Sequence, residues 1–196
     1  MKILYKSFFY LILLFLVTIS TTSHAYNSSG YSRTVGGMVL GSVQLIDTVP
    51  VVDLGIGGGM YFDYRFNERF SIELNAFFTT QNGRGQSAAE GSIEFLAIPT
   101  TTFKVYILSQ ESRFDPYIGI GVGFYSLLEG SVENSSKGFG IGAQIEVGLD
   151  YYVTDNLVMG VGGTYRTAGL INQLSGTANA TTYIPYTLFG KIGYRF

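Results

Sequence analysis

The chain has no cysteine and no tryptophan, only four prolines in 196 residues, and a single histidine, His24. Without cysteine there is neither a disulfide framework nor a thiolate metal site. His24 falls in the N-terminal leader described below. What remains therefore lacks the one side chain that titrates near neutral pH without perturbation. The carboxylates are scattered and form no calcium-binding loop pattern. No catalytic residue, cofactor site or metal site is expected. Charge is also scarce. Asp, Glu, Lys and Arg make up 13% of the chain, where about a quarter is ordinary for a globular domain. The formal charge is −2 with no basic block, which argues against nucleic acid as a partner. Beyond the leader, no apolar run approaches the ~20 residues of a membrane-spanning helix.

The N-terminus reads as an export signal. Lys2 and Lys6 precede the apolar run SFFYLILLFLVTIS (7–20), and SHA (23–25) sets small residues at a cleavage site. Cleavage is expected after Ala25, so that residues 1–25 are a signal peptide. The alternative, an uncleaved anchor helix, needs a longer run. A short segment, 26–32, then leads into a single domain over 33–196.

What the chain has in quantity is glycine (26), phenylalanine (15) and tyrosine (15). An exported, apolar, aromatic and glycine-rich chain without membrane helices fits a β-barrel closed on itself in a membrane. The test is a period of two. In GFGIGAQIEVGLDYY (138–152), Phe139, Ile141, Ala143, Ile145, Val147, Leu149 and Tyr151 share one face; Gln144, Glu146 and Asp150 join the glycines on the other. YIGIGVGFY (117–125), VDLGIGGGMYFDYRF (52–66), RFSIELNAFF (69–78) and the tail from Ile184 to Phe196 alternate in the same way. The spacing predicts strands near 51–66, 69–79, 93–108, 115–128, 138–153, 157–169 and 182–196. An eighth lies within 33–45, in TVGGMVLGSVQ, whose two faces are not distinguished by pattern. Strand 93–108 alternates if Ala97, Phe103, Val105 and Ile107 face out and Glu94, Thr102, Lys104 and Tyr106 face in. Pro99 then falls mid-strand, where a bulge is expected. Short polar connections alternate with long ones. The expected fold is all-β: an eight-stranded antiparallel up-and-down transmembrane barrel with short periplasmic turns and longer extracellular loops.

Glycine and charge share a face, and an eight-stranded barrel leaves an interior barely wide enough for side chains. That face is therefore the lumen, and the Phe, Tyr, Ile and Leu face meets lipid. The inward charges read as Asp53, Asp63, Glu73, Glu94, Glu146 and Asp150 against Arg65, Arg69, Lys104, Arg166, Lys191 and Arg195. Charges in a narrow lumen must be paired or hydrated. Glu73, Lys104, Glu146, Asp150, Arg166 and Lys191 are the expected lumen charge network. Glu73, Lys104, Asp150 and Lys191, at similar heights, are expected to form a mid-lumen belt that blocks ion flow. A gated ion pathway is the alternative. GFGIGA (138–143) matches a bare dinucleotide-binding pattern, but its glycines lie within a strand, where lumen packing explains them.

The last residues, GKIGYRF, end on an outward phenylalanine. A terminal Phe196 with Tyr194 and Ile192 at steps of two resembles the C-terminal signal that bacterial outer-membrane barrels present to the barrel-assembly machinery. YRFNERFSIELNAFF, FDPYIGIGVGFY and LDYYVTDNLVMGVGGTYR resemble the strand–turn–strand segments of the small OmpA/OmpX/OmpW class, and PYIGIGVGFY with IPTTTFKVYI leans towards OmpW-like proteins. The resemblance covers nearly all of 33–196. It implies a Gram-negative outer membrane, with lipopolysaccharide and phospholipid around the wall. Enzymes on small barrels of this kind resemble one another in relying on a catalytic His, so no enzymatic activity is expected here. The expected role is structural or surface-interacting. The alternatives are an OmpW-like passage for small, mainly apolar molecules, or an opacity-type adhesin or surface antigen whose polar loops bind a host surface molecule.

Overall fold

The computed structural model describes residues 31–44, 55–82, 92–108, 113–129, 138–172 and 179–196. Ala25, Asp53 and the side chain of Glu94 lie outside the described residues. The strands are β1 (Ser32–Gln44), β2 (Gly55–Arg65), β3 (Phe70–Asn82), β4 (Ser92–Tyr106), β5 (Phe114–Glu129), β6 (Gly138–Tyr152) and β7 (Leu157–Asn172), followed by β8 (Asn179–Tyr183) and β9 (Pro185–Arg195). Each pairs antiparallel with its sequence neighbour from β1 to β7, and β9 joins β7 to β1. β8 and β9 are halves of one barrel strand. Ala168↔Tyr183 and Tyr165↔Tyr186 keep one register on β7 across the break at Ile184. Pro185, which has no N–H to donate, explains the interruption. Eight barrel strands therefore close into a ring, with no free edge along the described ladders.

Period-two alternation becomes inside and outside. Ile118, Ile120, Val122 and Phe124 of β5 are exposed on the outer wall, while Tyr117 and Tyr125 are buried within. In β1 the outward set is Val35, Val39 and Val43 and the inward set Thr34, Met38, Leu40 and Ser42. Its faces are indistinct in sequence because Met38 and Leu40 are as apolar as the valines they oppose.

At one end the turns are short and held by side chains. Asn67 Oδ1 accepts from the Arg69 and Phe70 N–H groups, both at 2.8 Å, and Thr154 Oγ1 accepts from the Leu157 N–H at 3.0 Å. Arg69 belongs to this turn and is exposed, not in the lumen as its parity suggested. The strand pattern stops at Phe70, so parity no longer governs its neighbour. Both ends of the barrel domain meet here: Arg33 N–H donates to Phe196 O at 3.1 Å, and Phe196 N–H to Arg33 O at 2.9 Å.

β4 carries the expected irregularity. Its register slips between Asn75 and Phe77 on the β3 side and between Ala97 and Thr100 on the β5 side. Ile98 and Pro99 both face out, so Ala97 and Thr100, three residues apart, both point inward and are fully buried. Ala97 thus faces the lumen, not lipid. The residues C-terminal to the bulge, Phe103, Val105 and Ile107, are outward as the alternation requires.

Candidate functional site: the lumen of the barrel

The lumen is filled in layers. Its middle is an ion-pair belt drawn from walls all round the barrel. Lys104 of β4 donates to Glu73 of β3 and lies 3.5 Å from Asp63 of β2 and 3.9 Å from Glu146 of β6. Lys191 of β9 donates to the same Glu73 oxygen at 3.1 Å and lies 2.9 Å from Asp150 Oδ1 of β6. Glu73 Oε2 therefore bridges two ammonium groups. Two lysines face four carboxylates, and hydroxyl donors supply the remaining contacts. Tyr117 of β5 donates to Glu146 at 2.8 Å, Tyr106 to Asp150 at 3.0 Å, and Ser71 to Asp63 at 2.9 Å. Lys104 Nζ and Lys191 Nζ also sit 4.4 and 5.0 Å from the Tyr117 ring centre. None of the six charged residues is more than 7% exposed.

Glycines make room for this layer. A Cβ on Gly148 would fall 2.5 Å from the Tyr117 hydroxyl, and one on Gly160 2.5 Å from Lys191 Cε and 2.6 Å from Asp150 Oδ1. The coincidence of glycine and charge on one sequence face is thus a packing requirement.

Towards the turn end, Arg65 pairs with Asp115 at 2.7 Å, donates to the Tyr152 hydroxyl, and stacks 3.8 Å over the Tyr106 ring. Its Nη2 and Nε reach the Glu68 and Asn67 carbonyls, tying the turn to the plug. Towards the loop end, Arg166 donates to Gln144 Oε1 at 2.9 Å and to Thr187 Oγ1 at 2.7 Å, and lies 4.5 Å from the Phe77 ring centre. Gln144 donates in turn to Thr102 at 2.6 Å and accepts from Tyr125 at 3.1 Å. Leu40, Phe77, Ala97, Tyr125, Ala168 and Phe189 belong to a buried apolar cluster that reaches down to Met38 and Tyr61 beside the belt.

Five of the six residues expected as a lumen network, Glu73, Lys104, Glu146, Asp150 and Lys191, therefore come together. Arg166 is in the lumen but in the Gln144 layer above them. Asp115 shares parity with the buried Tyr117 and opens the strand expected over 115–128, but it was not counted among the inward charges, because the alternation is traced only from Tyr117 onward. Gln144 and Ser71 carry no charge and gave no signal beyond parity. Ile192, Tyr194 and Phe196 project from the outer wall, each more than half exposed. Among the described residues no group of His, Cys, Asp and Glu has the arrangement of a metal site.

Known proteins resemble this barrel in sequence and in shape. The OmpW family model matches residues 42–168, 127 of the 196 residues. Outer membrane protein W of Salmonella typhimurium is 23% identical over 159 residues, covering 70% of this chain and 72% of that protein. Neisserial surface protein A superposes with a TM-score of 0.60 at 15% identity, over 86% of this chain and 98% of its own. OprG of Pseudomonas aeruginosa gives 0.53 at 19% identity, over 87% and 97%. Ail of Yersinia pestis gives 0.52 at 17%, over 86% and 100%. The structural likenesses establish the fold of a small outer-membrane barrel. The family match takes in β2 to β6 whole and most of β7, including the strands that carry Glu73, Lys104, Glu146 and Asp150, and the chain belongs to the OmpW family.

Proposed function

We propose that this protein is an ion-tight, non-catalytic barrel of the outer membrane, whose lumen is closed by the Glu73–Lys104–Lys191 belt. One observation carries the reading: a single carboxylate oxygen holds two lysines from different walls, with Asp63, Glu146 and Asp150 around them, all buried. A hydrated ion would have to break these pairs to pass, leaving charges unpaired in low dielectric. The belt also ties β2, β3, β4, β5, β6 and β9 across the lumen, so that plugging and stabilising are one arrangement. Conductance of the refolded protein across a planar bilayer tests it: no steady current is expected.

The loop-side half favours a second reading. Its apolar cluster is of the kind that a small apolar solute could part, as the family resemblance suggests. Saturable quenching of tyrosine emission by an apolar solute, abolished by Ala97→Phe, would support that reading. Two steps of biogenesis belong to the proposal: cleavage after Ala25 and recognition of Ile192, Tyr194 and Phe196 by the barrel-assembly machinery. Binding of a host surface molecule would fall to the long loops.

A further inference from the structure

The outer wall is not smooth. Where β4 bulges, a cavity of about 520 Å³ opens on the lipid side between Pro99 and Thr101 on one lip and Ile141 and Ala143 on the other. Its floor crosses β5 and β6 at the directly paired Gly123 and Gly142. Both glycines are of lumen parity, and their missing side chains would collide with Thr100 and with Thr167 and Ala168. On the outer side both positions present bare backbone, and the groove above them is kept open by the small outward side chains of Pro99, Thr101 and Ala143. Phe124 also lines the cavity, its ring stacked with that of Phe139, centroids 6.2 Å apart. Only Thr101 among the lining side chains is polar. The volume falls in the about 300–1,000 Å³ range of small-molecule sites.

Position selects the occupant. From Tyr152 at the turn end to Gly142, β6 rises about 25 Å at ~3.3 Å per residue and ~40° tilt. This is the loop-side edge of the ~25 Å apolar band, the outer leaflet when the short turns are periplasmic. The groove is continuous with the exposed Val122, Ile120 and Ile145 of the lipid-facing wall. We propose that it is a seat for one acyl chain of an outer-leaflet lipopolysaccharide molecule, held beside the β4 bulge. The ordered chain fills the groove that the small side chains of Pro99, Thr101 and Ala143 leave open. It exchanges more slowly than lipid against the rest of the wall.

Native mass spectrometry of the protein extracted from outer membranes in mild detergent tests this. The wild type should retain one lipopolysaccharide adduct. Ala143→Phe fills the seat and should reduce that adduct roughly tenfold, the ratio that ~1.4 kcal/mol of binding carries. Val39→Phe, on the exposed face of β1, should leave it unchanged. If Ala143→Phe does not give a heat-modifiable barrel, Thr101→Phe closes the seat from the other lip and the same outcomes apply. No adduct on the wild type, a phospholipid or solute in its place, a dimer without lipid, or an adduct insensitive to the filled seat would each overturn the proposal.

Discussion

Glu73 is the residue on which the belt turns, since one of its oxygens meets both Lys104 and Lys191. Removing Lys191 leaves Asp150 without its ammonium partner and Glu73 with one lysine instead of two. Breaking a fully buried pair costs about 3–5 kcal/mol, less where water enters. Lys191→Ala should therefore lower the urea midpoint of the refolded barrel, and adding Glu73→Ala should recover part of the loss. A double mutant no more stable than Lys191→Ala would show that the two charges are not coupled. Arg65 makes a parallel case at the turn end, where it joins Asp115 to the ring of Tyr106 and the carbonyl of Glu68. Arg65→Lys keeps the charge but loses the planar fork, and should destabilise measurably in the same titration. Lys191 was legible as a lumen charge because it shares parity with Gly193 and Arg195 in an unbroken alternation, and Lys104 because it alternates with Phe103 and Val105 beyond the bulge. Glu73 and Asp150 were expected beside them in the belt, but which carboxylate meets which lysine was not legible, because strand stagger decides which heights coincide, and that is a property of the closed ring.

At the scale of the strand, β4 separates what pattern can reveal from what it misses. Sequence placed Pro99 in a strand and expected a bulge, because proline withholds a ladder hydrogen bond. It kept one parity through that bulge, however, and so turned Ala97 outward. In the structure Ile98 and Pro99 are both outside and Ala97 packs in the apolar layer with Phe77 and Tyr125. The chain has no cysteine, so an introduced thiol is the only one. In a liposome, an apolar maleimide should label Ile98→Cys readily and Ala97→Cys slowly. Labelling of Ala97→Cys at the faster rate would restore the original facing. β1 failed differently: its alternation is real, but Met38 and Leu40 inside and the valines outside give it no polarity to read. Arg69 and Asp115 mark the third limit, the strand end, where one residue decides between turn and lumen.

For the whole molecule, closure brings Phe196 beside Arg33 through two backbone hydrogen bonds, with its side chain on the lipid wall. Deleting Phe196 removes one aromatic contact with lipid, worth about 1–3 kcal/mol. The proposed recognition of the C-terminus makes a larger demand: the deletion should reduce folded, heat-modifiable protein in the outer membrane far more than it lowers the urea midpoint of the barrel refolded in detergent. Equal effects in the two assays would reduce the terminal pattern to packing. The same closure makes the belt a barrier, because six of the eight strands send a side chain into it. Current across a planar bilayer is the most direct test. The account predicts no steady conductance from the wild type and a rise when Glu73→Ala and Lys191→Ala are combined. A steady wild-type conductance unchanged by the double substitution would contradict it.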